Sequence, residues 1–160
     1  MTYEFQSETE INYHQVRVSY AKKKDGARVD VVGTRNIDSL IKKERMQEEK
    51  LKKAYAAAAV LASAKKLSQA RAYCQKAIGF NENYGAPYIL IANLYAMSPN
   101  WSDESALNKC TYFAVIDKLQ RAKQVDPSVA EEANSLIGRY SGHTPQAKDL
   151  FMLGYKQGDR

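Results

Sequence analysis

The sequence predicts a mainly α-helical chain of antiparallel helical hairpins, stacked as an α-α superhelix, with a small β-hairpin at the N-terminus. Three observations carry this reading. From Asn36 no Pro or Gly interrupts the chain until Gly79, and that stretch is rich in strong helix formers. A pattern of small and large apolar residues recurs when the chain is shifted against itself by 34 and then by 45 positions. The two-residue alternation of a strand is confined to the N-terminal part, where Val16, Val18 and Tyr20, then Val29 and Val31, flank the turn signal Lys24-Asp25-Gly26.

The elements follow in order. Residues 1–35 form an extension holding the β-hairpin, expected over 15–32; alone, a two-stranded ribbon is marginal and must pack on something. A helical repeat region spans 36–142. Its first helix starts near Asn36, with Asp38 or Ser39 as cap, and breaks around 64–66, where small and polar residues precede the amphipathic run 67–78. Shifted by 34, Ala54 falls on Tyr88, Ala58 on Ala92 and Leu61 on Tyr95; shifted by 45, Ala70 falls on Val115, Cys74 on Leu119 and Ala77 on Ala122. Repeats at about 51–84 and 85–128 result, and a lone helix over 129–140 reads as a cap on the second. Asp126-Pro127 stops one helix and turns the chain into the next.

An insertion of eleven residues separates the helices of the second repeat and carries the sole tryptophan, Trp101. Ser102 or Asp103 can cap a helix from about Glu104 that runs on into the next. A lone Trp in an insert is expected to fold back on the core, and Trp101 is also the candidate contact outside the groove described below. The tail, 143–160, has a helix start at Thr144-Pro145. Its apolar cluster, Leu150 to Leu153, is expected to dock on the last repeat.

These positions resemble the tetratricopeptide-repeat (TPR) signature. Tyr88, Ile91, Ala92 and Tyr95 match its first helix, and Ala70, Cys74 and Ala77 its second. Glu82, Ala54 and Ile137 depart from it. The stretch 83–126 with PSVAEEAN is similar to the C-terminal TPR region of larger Bacteroidetes proteins, which implies a piece of a longer chain, in the cell envelope or periplasm. The resemblance implies a non-catalytic scaffold that binds a protein or peptide partner in a groove. Carried over, the groove positions are Lys52, Tyr55, Ala59 and Ala62 in the first repeat and Ala86, Ile89, Asn93 and Ala96 in the second. Asn93 matches an asparagine that pairs with ligand backbone or carboxylate, but Ile89 and Ala96 do not complete the carboxylate clamp of chaperone-binding TPRs.

Charge offers the rival reading. Net charge is +6, and the excess lies in 35–66, with nine Lys or Arg against four Asp or Glu. That basic helix, 42–66, would be the surface for a nucleic acid or anionic membrane. Glu44, Glu48 and Glu49 interleave its lysines as a solvated helix face does, which disfavours nucleic acid. Pairing of copies through hairpin edges or an exposed repeat end would give a homo-oligomer. Two cysteines, Cys74 and Cys110, make no disulfide framework, and no run of residues is apolar and long enough to span a bilayer. Only His14 and His143 could act as ordinary histidine bases, and neither has a nucleophile and carboxylate at a useful spacing. No cofactor, metal or catalytic residue is expected.

Overall fold

The computed structural model describes the backbone of residues 27–156 and the side chains from Ile37 onward. Helices dominate: α1 (Ala27–Ser63), α2 (Leu67–Phe80), α3 (Ala86–Ala96), α4 (Ser105–Lys109), α5 (Thr111–Val125), a 3₁₀ turn (Pro127–Val129), α6 (Ala130–Ser141) and α7 (Ala147–Met152). No strand occurs among the described residues, and none of their helices is long and apolar enough to cross a membrane. The first strand and turn of the expected β-hairpin lie outside the described residues; the stretch 27–32, where its second strand was placed, is helical. Contacts divide the chain into a unit of residues 1–49 and a unit of residues 50–160. In the first, the described part is the N-terminal portion of α1, with Ile37 buried.

The helix expected to begin near Asn36 begins nine residues earlier, at Ala27, so Asp38 and Ser39 lie inside it rather than capping it. The one glycine in the added segment, Gly33, costs a helix only about 1 kcal/mol, and no proline stops it. At the other end α1 closes where small and polar residues predicted a break. The Lys66 amide donates to the Leu61 carbonyl at 2.9 Å and the Lys65 amide to Ala62 at 3.0 Å. This is a Schellman closure, with Lys65 in the left-handed region at φ 58°. Glycine holds that position without strain; lysine does not.

In the second unit, two apolar clusters share α3. One joins Ala58 and Ala62 of α1, Ala70 and Cys74 of α2, and Ile91 and Leu94 of α3. The other joins Tyr88, Ile89 and Ala92 of α3, Val115, Leu119 and Ala122 of α5, and Ala133 of α6. Ile78 and Tyr95 pack against both. Alanines let the helix axes approach, while Leu94, Leu119 and Tyr88 fill what remains. Within this unit α2 packs on α3, α3 on α5 and α5 on α6.

The 45-residue recurrence is visible in the backbone. After α2 the Asn81 amide donates back to Ala77, and after α5 the Asp126 amide donates back to Ala122. Both C-cap residues are extended and their side-chain oxygens accept an amide two residues on, from Asn83 at 2.9 Å and from Ser128 at 3.0 Å. The equivalent bonds Tyr84 to Asn81 and Val129 to Asp126 follow at 3.3 and 3.2 Å. Ala70, Cys74 and Ala77 in α2, and Val115, Leu119 and Ala122 in α5, are the buried residues of their helices. The two hairpin connections are one structure used twice.

The second connection does more than turn. Its Asp126 carboxylate also accepts the Gly85 amide, 41 residues away, at 2.9 Å. A Cβ on Gly85 would stand 2.5 Å from Val129 Cγ2 and 2.8 Å from Asp126 Cβ, so glycine is required by close approach. Hydrogen bonds from the Ser128 hydroxyl and the Gly85 amide hold the Asp126 carboxyl below its ordinary value.

Two further expectations need correction. Pro145 does not open the last helix: Gln146 caps α7, and Pro145 is buried before it. The apolar residues of α7 do not dock on the last repeat. Phe151 and Met152 are 73% and 85% exposed, and α7 lies instead against α4. A helix of six residues cannot turn four consecutive apolar positions toward one neighbour.

Three stability changes are expected. Lys65→Gly raises stability by about 0.5–1 kcal/mol by removing the left-handed strain, seen as a higher urea midpoint. Gly85→Ala lowers it by about 1–3 kcal/mol, as an overpacked contact does. Asp126→Ala lowers it by about 1–2 kcal/mol. Because the folded carboxyl titrates below its unfolded value of about 4, its contribution is fully present above that pH and is lost as pH falls through the folded value. An acid titration of the urea midpoint will therefore show a steeper decline below about pH 4 for the native chain than for Asp126→Ala.

Candidate functional site

The groove positions implied by the tetratricopeptide-repeat resemblance separate into three groups. Lys52 and Ala59 are exposed on α1, while Tyr55, Ala86, Asn93 and Ala96 are partly buried. Ala62 and Ile89 are core: Ala62 packs with Ala70 and Cys74, and Ile89, 5% exposed, packs with Val115 and Leu119. The reason is that α3 contributes to both apolar clusters and packs on α2 and on α5. Little of its surface is left to face a ligand.

Tyr55 sits edge-on to Tyr84, ring centroids 5.7 Å apart. Burial raises its phenol above the ordinary value, with the neighbouring Tyr84 adding to the effect. Asn93, on α3, is the other partly buried polar residue of the set. Its side-chain oxygen accepts the Tyr140 hydroxyl from α6 at 3.4 Å. Among the described residues its amide NH₂ donates to nothing, so half of a backbone-like hydrogen-bonding group remains available.

Around this pair the helix ends gather aromatic rings. Tyr112, at the start of α5, lies 5.8 Å from Tyr140 and stacks on His143 at 5.1 Å. Tyr112 and Tyr140 are half-buried and His143 exposed. The strip Asn93, Tyr140, Tyr112 and His143 is therefore polar at its edges and aromatic on its faces. Tyr112 carries no motif, His143 reads as an isolated surface histidine, and Tyr140 aligns with Tyr95 and so reads as packing. Only folding the chain brings them together.

Tyr112 also borders a second feature, an open depression of about 800 Å³ formed by the insertion. The helix expected from about Glu104 into the next appears as an added turn, α4, that passes through Cys110, itself in the helical region, to α5; its N-cap is Glu104 rather than Ser102 or Asp103. Trp101, expected against the core, is 63% exposed. What holds its loop is Asn108. The Asn108 side-chain oxygen accepts the amides of Trp101 and Ser102 at 2.9 and 3.0 Å, and its NH₂ donates to the Ser102 carbonyl at 2.6 Å. Ser102 in turn accepts the Glu104 amide at 3.1 Å, and the Trp101 indole N–H donates to the Thr111 hydroxyl at 3.3 Å. The spacing of Asn108 from Trp101 carries no signal that sequence reasoning could use.

Comparison with models of known protein families, with curated proteins and with solved structures gives no match. Among the described residues no group of three or more His, Cys, Asp or Glu side chains could hold a metal ion. Cys74 is buried, its thiol pushed up to about 11 by burial, and burial also raises the half-buried Cys110. Raised thiols are poor nucleophiles at neutral pH.

Two measurements check this geometry. Trp101 in the native chain will show the red-shifted emission of a water-exposed indole and ready quenching by acrylamide. In Asn108→Ala, with three hydrogen bonds to the loop removed, its fluorescence anisotropy will fall. With a thiol reagent at neutral pH, Cys110 will react slowly and Cys74 only on unfolding.

Proposed function

We propose that the chain is a non-catalytic helical-repeat module of the tetratricopeptide-repeat type that holds an extended segment of a partner protein. The observation carrying this reading is the Asn93–Tyr140 pair: a half-exposed amide and phenol, on successive first helices of the stack, with the Tyr112 and His143 rings beside them. An extended segment needs both things this strip offers. Its backbone amides and carbonyls pair with the Asn93 amide and Tyr140 hydroxyl, and an apolar side chain lies on the rings. The recurrence of the hairpin connection at 45 residues, with the same turn bonds, supports the repeat type. Because the strip spans two first helices only, it contacts a short segment, and affinity depends on how rigidly the strip is held.

Replacing Asn93 and Tyr140 by photoreactive p-benzoylphenylalanine in separate variants tests the reading, with the exposed Ala72 of α2 as the control position. A protein adduct formed from positions 93 and 140, absent from 72 and retained at high salt, is the expected result. Once the partner is known, Asn93→Ala with Tyr140→Phe will weaken its binding roughly tenfold, the loss of one or two hydrogen bonds. If the captured material is nucleic acid and is released by salt, the reading fails. The function then moves to the basic face of α1, since phosphate contacts weaken steeply with ionic strength.

A further inference from the structure

The insertion is the part of the second unit whose construction the repeat does not explain. Eleven additional residues bring an exposed indole, a side chain that locks the loop presenting it, and a depression lined by Asn100, Asp103, Ser105, Lys109 and Tyr112. We propose that this depression binds a neutral saccharide, with one pyranose ring stacked on the Trp101 face.

The chemistry of the lining selects that ligand. Trp101 gives its polar edge to Thr111, so what it offers outward is the ring face. An indole face recognises a flat array of polarised C–H groups or an apolar chain. An apolar chain is disfavoured by everything around it, because Asn100, Asp103, Ser105 and Lys109 would lose water without gaining partners, at a few kcal/mol for each group left unpaired. A pyranose satisfies both sides. Its C–H face covers the indole, and its rim of hydroxyls, each donor and acceptor together, meets the Asp103 carboxylate, the Asn100 amide, the Ser105 hydroxyl and the Tyr112 phenol.

Charge narrows the class further. The lining holds one acidic and one basic side chain, Asp103 and Lys109, so the depression offers neither the cationic surface that a phosphate or polyanion needs nor a uniformly acidic one for a cation. Size allows the assignment: about 800 Å³ falls within the roughly 300–1,000 Å³ of small-molecule sites. The Asn108 bonds hold the loop in shape before anything binds, which lowers the ordering cost of association. This inference stands on the insertion loop and is independent of what the Asn93–Tyr140 strip holds.

The chain contains one tryptophan, so its intrinsic emission reports on this site alone. Titration with maltohexaose, cellohexaose and chitohexaose is expected to give a saturable change in Trp101 emission with at least one of them. With Asp103→Ala or Asn100→Ala, about tenfold more saccharide will be needed for the same change. Trp101→Ala, which has no tryptophan to read, is followed by electrophoresis through gels containing amylose, hydroxyethylcellulose or glycol chitin. It will lose the retardation shown by the native chain, Trp101→Phe will keep part of it, and all the variants will keep the native circular dichroism. The proposal is overturned if no saccharide changes the emission and no polysaccharide retards the chain, or if Trp101→Ala is retarded as strongly as the native protein. It is equally overturned if the emission responds to a protein partner but to none of the saccharides.

Discussion

The second unit depends on the hydrogen bond from the Gly85 amide to the Asp126 carboxylate. It joins the start of α3 to the end of α5, residues 41 positions apart, and it does so where the Val129 and Asp126 side chains leave no room for a Cβ at 85. The same carboxylate accepts the Ser128 amide and hydroxyl, which form the 3₁₀ turn and launch α6. One ionised group therefore fixes the beginning of one hairpin and the beginning of the next. The apolar cluster made by α3, α5 and α6 fills the space that this tie defines.

Much of the core was legible because close packing leaves a record in the residues. Ala70, Cys74 and Ala77 recur as Val115, Leu119 and Ala122, and all six are completely buried. Stops were legible where their chemistry is local, as at 64–66 and at Asp126-Pro127. Legibility ended where a local signal competes with a distant one. The start of α1 was placed at a good capping sequence, yet the helix runs through it, because a cap stabilises an end only where the chain must end. Ile89 was placed in the groove by alignment, yet α3 is apolar almost all round, so its periodicity does not say which side faces which neighbour. The strip of Asn93, Tyr140, Tyr112 and His143 joins three helices separated by the insertion, and no spacing along the chain predicts such a meeting.

Shape and presentation are assigned to different residues here. The hairpins use alanine, leucine and a duplicated turn to make a stack; the insertion uses asparagine, serine and tryptophan to make a surface. Asn108 contributes nothing to the apolar clusters, and Trp101 is absent from them. Changes in the insertion can thus alter what the second unit offers to solvent without disturbing how its helices pack, which is why loops carried on a rigid scaffold are so often the variable part of a protein.

The alanines of the first hairpin have a consequence for motion. The seam between α1 and α2 is formed mainly by small side chains, Ala58, Ala62, Ala70 and Cys74, with Leu61 and Leu67 only partly buried beside them. Such a seam fits closely but is shallow in free energy, whereas the seam between α3 and α5 is deepened by Tyr88, Ile89 and Leu119. Of the two seams, the first is thus the one expected to open at the lower free energy. A ligand that binds across that seam would make it more rigid as well as occupied.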